Sequence, residues 1–365
     1  MPLLLYWFLP SHGDGRAIAR VAGDGAQHAA RASRREPDIG YLAQVAAAAD
    51  RLGFAGALVP AGLFCEDAWL VSAALAAQTS RLKFMVALRP GLVSPPLVAQ
   101  MAATAQRITG NRMLLNVVTG SDPDEQRRYG DWLDHDRRYE RADEFLSVLR
   151  GAWSGDPFDF TGEHYRVAGA RVARPAPPPA LFLGGSSAAA QRVAARHVDV
   201  YLAWGEPPDR MAPLLRAVRE QAAEQGRQIS FGTRFHVIAR DTAAEAWAEA
   251  DRLLAGMDPG MVAAAQRRFQ ATESEGQRRM AALHGGRADR LEVYPNIWAG
   301  YGLLRPGAGA ALVGSHEQVA ERIEELSALG VEHLILSGQP HLEEAYWFGE
   351  GVMPLLARSS SLVAG

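Results

Sequence analysis

The chain has 365 residues, of which 48% are hydrophobic and 22% charged. That is enough apolar material for a large core, and it excludes a mostly disordered, collagen-like or disulfide-scaffold protein. A net charge of −3 leaves no global basic surface, so neither nucleic acid nor an anionic membrane is an expected partner. The single cysteine, Cys65, excludes an intramolecular disulfide and a multi-cysteine metal site, and fits a reduced cytoplasm.

Residues 1–9 are apolar but lack a basic n-region, and Pro10 and His12 interrupt them, which argues against a signal peptide. No run of about 18 apolar residues is present, so no membrane-spanning helix is expected. Short apolar runs at 3–9, 56–59, 83–87, 113–118, 181–184, 198–202, 230–239 and 333–336 alternate with longer helical patterns. Most are apolar on both faces, as strands of a buried parallel sheet are. Asp38 precedes one helix that ends near Gly53, Ser94 with Pro95 opens another, and Ser315 precedes a third that ends at Gly330. Eight strands alternating with helices predict an α/β fold of the (β/α)8 TIM-barrel type, with a doubly wound open sheet as the alternative. No Gly-x-Gly-x-x-Gly follows the first strand, which counts against a dinucleotide-binding sheet.

A barrel of about 250 residues leaves roughly 115 to place. Two segments break the alternation, residues 16–37 after strand 1 and residues 254–312 after strand 7. Segments this long are usually lids, binding loops or disorder, and both fall on the face of a barrel where active sites lie. One domain spanning 1–365, with an extended loop at 16–37 and a lid at 254–312, is therefore expected.

Polar residues at strand ends carry the candidate chemistry. Gly184-Gly185-Ser186-Ser187 runs from strand 5 into a helix. The glycines admit a close ligand, and the hydroxyls and new helix amides suit a phosphate; an ordinary Gly turn with a Ser cap has the same pattern. Arg234 and His236 alternate with Phe235 and Val237, so both point to one face of strand 7. A buried Arg needs an anion, either a ligand or an internal carboxylate such as Asp14. His135 and Tyr139 are four apart and share a helix face, where they could hold a phosphate or simply open a solvated helix. Cys65 has no adjacent His or Lys to depress its pKa, so a covalent role lacks support. The histidine spacing matches no metal motif and no Gly-x-Ser-x-Gly elbow is present.

Taken together, the motifs resemble a known family. They are Tyr6-Trp7-Phe8-Leu9-Pro10-Ser11-His12-Gly13-Asp14-Gly15, Cys65-Glu66-Asp67-Ala68-Trp69, Val118-Thr119-Gly120-Ser121-Asp122-Pro123, Trp204-Gly205-Glu206-Pro207-Pro208, Arg279-Met280-Ala281-Ala282-Leu283-His284 and Pro340-His341-Leu342-Glu343-Glu344-Ala345-Tyr346. With Gly184–Ser187 they make the chain similar to the bacterial luciferase-like flavin monooxygenases, and most closely to the FMNH2-dependent alkanesulfonate monooxygenases. The resemblance implies FMN across the C-terminal ends of the strands. Its phosphate would meet Gly185, Ser186 and Ser187 near His135 and Tyr139, with Asn116 closer to the ring. It implies a substrate site built from His12, Cys65, Trp204, Arg234, His236, Arg305 and Tyr346. Arg234 and Arg305 would bind the sulfonate or a peroxyflavin oxygen, while His236 and Tyr346 would hydrogen-bond and shuttle protons. In such enzymes a separate NAD(P)H:FMN reductase supplies FMNH2, which forms a peroxyflavin with O2. The products would be an aldehyde and sulfite, and the enzyme a homo-oligomer, a dimer or tetramer, in the cytoplasm. Residues 16–37, the apolar Ala61, Leu63 and Phe64 before Cys65, and Pro306 after Arg305 depart from the family pattern. They point to a bulkier or less polar substrate, such as a specialised metabolite, with deazaflavin-dependent hydride transfer as another reaction class.

Overall fold

The computed structural model describes residues 3–18, 34–270 and 272–359. Its centre is a ring of parallel strands: β1 Leu4–Phe8, β2 Gly56–Val59, β3 Lys83–Leu88, β4 Met113–Val117, β5 Leu181–Gly184, β6 Val200–Trp204, β7 Ser230–Arg240 and β8 Val331–Ser337. They follow one another as β6-β5-β4-β3-β2-β1-β8-β7. The ring closes where β6 pairs with β7, from Val200↔Ser230 to Trp204↔Arg234. This is the TIM barrel that the apolar runs predict, not the open sheet, and each strand overlaps its predicted run.

Alternation sorts the strand residues into two cores. Tyr6, Phe8, Leu58, Met85, Leu114, Phe182, Val200, Leu202 and Ile335 fill the barrel interior. Their neighbours, among them Trp7, Phe84, Leu115, Tyr201, Phe235 and Leu336, pack outward under the helices. The same period places Asn116, Gly184, Trp204, Arg234 and Ser337 inward at the C-terminal rim, directly above the apolar plug.

The helix caps follow local chemistry. Asp38 accepts from the Tyr41 amide, and Gly53 ends that helix at φ 90°. Ser315 closes a capping box with Gln318. Ser94 occupies its cap position without a side-chain bond; Pro95 and Pro96 follow it and remove the N2 amide that a cap serine could bind.

Three features were not legible in the apolar pattern. A hairpin of Phe158–Thr161 and Arg166–Ala170 lies outside the barrel with mostly exposed residues. β7 overruns the rim, and its second half pairs in parallel with Ala311–Ser315, from His236↔Ala311 to Arg240↔Ser315. That strand pairs antiparallel with Ile297–Trp298, which pairs in turn with Glu292–Tyr294. These strands are too short to show a period of two. The insertion also contains helices Pro259–Gln270 and Glu275–His284, and it has its own core of Ile238, Leu253, Phe269, Trp298, Tyr301, Leu303 and Val313. After β1, Asp14–Gly15 pairs with Arg34–Arg35, which brings the ends of the 16–37 segment together; residues 19–33 of that expected loop lie outside the described residues. No described helix is long and apolar enough to cross a membrane.

Candidate active site

A cleft of about 250 Å³ opens at the C-terminal rim, lined by Asn116, Thr119, His135, Tyr139, Gly185, Ser186, Ser187, Trp204 and Arg234, with Ser274–Gly276 of the insertion. One end of it is built for an anion. Ser187 caps helix Ala188–His197 through the Ala190 amide, so the first turn of that helix faces the cleft. Gly185 holds φ 148°, and a Cβ there would lie 2.6 Å from the Tyr139 hydroxyl. Its carbonyl accepts from the Tyr201 hydroxyl at 2.7 Å. Tyr139 shares hydrogen bonds with Thr119 and Ser187, and burial pushes its phenol up. His135 stands beside it at 5.1 Å between ring centres. His135 and Tyr139 therefore do share a face, on helix His135–Trp153. Its hydroxyls and the amides of the first helical turn are groups that could hold a phosphate.

At the other end Arg234 opens a cationic polar cluster, whose further members His12, Cys65, His236 and Arg305 do not line the cleft. Arg234 stacks over the Phe8 ring at 4.3 Å, and its Nε has no partner among the described residues. Burial, then repulsion from Arg305, lowers it to about 9. Arg305 is 7% exposed. It contacts His12 Nε2 at 3.0 Å and donates to Gln339 Oε1 at 3.3 Å; burial pulls its pKa down as well. No ion pair to either arginine is present among the described residues. Asp14, the carboxylate that could have neutralised Arg234, is occupied by His341 and Tyr41 instead. A buried guanidinium and a half-buried one, side by side without a carboxylate, are costly, and an anionic ligand is the ordinary way to relieve that cost.

His236 is fully engaged. Its Nε2 faces the Ala308 carbonyl at 3.1 Å, its Nδ1 lies 2.8 Å from the Ser337 hydroxyl, and its ring stacks on Tyr301 at 3.9 Å. Burial, with Arg305 and Arg234 adding repulsion, holds it neutral. Cys65 lies against Ser11, and burial pushes its thiol up to about 11, so it is not a thiolate near neutral pH. Tyr346 is half-buried on helix His341–Gly351 and does not line the cleft. The residue at hand for Arg305 from that part of the chain is Gln339, which sequence reasoning passed over; its position just after β8 was the available signal.

The insertion reaches over the cleft. Gly276 packs on the Trp204 ring, where a Cβ would sit at 3.0 Å. Glu206, 3% exposed, receives Arg279 Nε and Nη2 at 2.7 Å each. Gln277 Oε1 accepts from the Gly307 amide, which ties the helix to the turn carrying Arg305. A separate cluster of Glu140, Glu163 and His164 could group around a cation, but Arg137 already pairs with both carboxylates.

The fold has many solved counterparts. Riboflavin lyase (RcaE), described with a modified FMN and riboflavin, is 20% identical with a TM-score of 0.81, covering 100% of this chain and 93% of its own. EDTA monooxygenase (EmoA) from Chelativorans sp. BNC1 is 21% identical with a TM-score of 0.79, at 100% and 96% coverage. An F420-dependent secondary alcohol dehydrogenase is 16% identical with a TM-score of 0.69, at 97% and 99% coverage. The family model described as luciferase-like monooxygenase matches residues 14–333. The chain belongs to the luciferase-like monooxygenase family.

Proposed function

We propose that this protein is the oxygenase of a two-component system that uses FMNH2, delivered by a separate NAD(P)H:FMN reductase, to cleave the carbon–sulfur bond of an organosulfonate into an aldehyde and sulfite. The observation that carries the reading is the pair of arginines, buried Arg305 and half-buried Arg234, with no carboxylate partner among the described residues. A sulfonate stays anionic at any working pH and accepts the forked donors of a guanidinium. The cradle of Gly185, Ser186 and Ser187 fits the FMN phosphate, with His135 and Tyr139 at its side. Asn116 and Trp204 would face the ring. When bound, the reduced flavin supplies two electrons for O2 activation. The chain's own part is to hold the anion with Arg234 and Arg305 and to exclude water with the insertion. In this reading the 254–312 segment serves as a lid over one barrel domain.

Sulfite release from a sulfonate panel with flavin reductase, NADH and O2 tests the reading. Release from at least one member is expected, and none from any would sink the substrate class. A second reading keeps the flavin chemistry but takes a larger, less polar substrate. It rests on Leu63 and Phe64, 40% and 42% exposed beside Cys65, which could receive an apolar chain; an oxygenated product without sulfite would favour it.

A further inference from the structure

We propose that His341, oriented by Asp14, is the base that completes the reaction. It would take the hydroxyl proton of an α-hydroxysulfonate so that the carbon–sulfur bond can break. This rests on the organosulfonate reading above and assigns a step within it.

Asp14 is 3% exposed and fully used. One oxygen accepts from the Gly15 amide at 2.8 Å and faces His341 Nδ1 at 3.0 Å. The other accepts from the His341 amide at 2.7 Å and from the Tyr41 hydroxyl. These bonds, with the His341 ring, hold the carboxyl well below the usual range against its burial. Asp14 is therefore a carboxylate, and a carboxylate can only accept, so Nδ1 of His341 donates to it and Nε2 is the nitrogen left to meet a substrate. The His341 carbonyl accepts from Trp7 Nε1 at 3.1 Å, which fixes the residue from its other side.

Nε2 has no partner among the described residues, although His341 is 1% exposed. It is also close to the arginine cluster. The His341 ring lies 5.6 Å from Phe8, the ring that carries Arg234 on its face and has His12 at 6.0 Å. Two residues upstream, Gln339 holds Arg305. Of the other buried imidazoles of the cluster, His12 turns Nε2 to Arg305, and His236 has both nitrogens engaged and is pinned on Tyr301. It can exchange a proton only by breaking a hydrogen bond. His341 can do so without loss, and the imidazolium that results would sit against the Asp14 carboxylate.

In the step itself, the hydroxyl proton moves to His341 Nε2 and the O–H electron pair becomes the second carbon–oxygen bond. The carbon–sulfur pair departs with sulfur as sulfite, whose charge Arg234 and Arg305 would hold. No electron donor or oxidant is consumed.

Because the step is redox-neutral, it can be tested without flavin. Hydroxymethanesulfonate, an aldehyde–bisulfite adduct, is incubated with the protein alone, and sulfite is followed. Wild type should accelerate its breakdown, and His341→Gln should lower kcat at least ~10²-fold with KM within threefold, the scale of a general base. Asp14→Asn should lose kcat in the same way, and imidazole should restore part of the rate in His341→Ala. No acceleration by wild type, or a His341→Gln variant matching it, overturns the assignment. As a readout without turnover, the ¹⁵N spectrum of His341 should show the Nδ1–H tautomer, which Asp14→Asn disturbs; an Nε2–H tautomer in wild type also overturns it. Adduct breakdown by a protein that yields no sulfite in the flavin-coupled assay would leave this step standing and sink the oxygenation reading.

Discussion

Single side chains in the site work against stability, and that opposition can be measured. Arg234 is desolvated and repelled by Arg305, so replacing it with Met should leave the melting temperature unchanged or higher. Turnover should fall roughly 10²–10³-fold, the loss typical of one aimed donor. A melting temperature several degrees lower would show that Arg234 is held by a structural pair. Gly185 is the converse case, since its backbone needs the φ of 148° and its face needs Tyr139. Gly185→Ala should weaken FMN binding at least ~10-fold in a fluorescence titration, with the fold retained. An unchanged affinity would put the phosphate elsewhere. At this scale the sequence was only partly legible. Period two placed Arg234 and His236 on one face, but it could not reveal that His236 is saturated, that Gln339 meets Arg305, or that Asp14 is committed to His341. The last of these joins the end of β1 to the end of β8 across 327 residues, the others span 34 to 101, and no local pattern encodes such contacts.

At the scale of elements, helix Glu275–His284 of the insertion is tied to the barrel by the ion pair of Arg279 with the buried Glu206 carboxylate. Arg279→Ala would leave the Glu206 carboxylate buried and unpaired at a cost of ~3–5 kcal/mol. Helix Glu275–His284 should then lift from Trp204. The expected outcome is more peroxide formed per NADH consumed in the coupled assay and faster proteolysis near residues 271–285. Unchanged coupling would count against a water-excluding role. The barrel strands were readable because each is an apolar run bounded by turn signals. The insertion's strands were not, since Ile297–Trp298 and Glu292–Tyr294 turn at Asn296 with φ 63° and owe their pairing to β7 rather than to their own pattern.

For the molecule as a whole, acid should unfold the barrel from within. His333 bonds the Tyr6 hydroxyl at 3.0 Å in the interior plug, and burial, with Lys83 adding repulsion, drops its pKa to about 4. Above pH 6.5 it is neutral in both states and its contribution is complete. Below that the unfolded chain binds a proton that the native chain refuses, so stability is lost as pH falls through 4. The loss amounts to roughly 3 kcal/mol. Urea titrations between pH 7 and 4 should show a falling midpoint, and His333→Gln should flatten part of that fall. An identical slope in the variant would assign the acid sensitivity to other groups.

β7 belongs at once to the barrel wall and to the small sheet of the insertion, with Arg234 in the first role and His236 at the start of the second. Shared ownership of one strand limits how the family can borrow parts. The helices over the cleft can be exchanged or lengthened freely, but a transplanted insertion must bring a strand that reproduces the register from His236↔Ala311 to Arg240↔Ser315. Without it, the donor's chain would leave a bare strand edge beside the arginines. Substrate range can therefore drift through the helices, while the strand that carries Arg234 is inherited with the barrel.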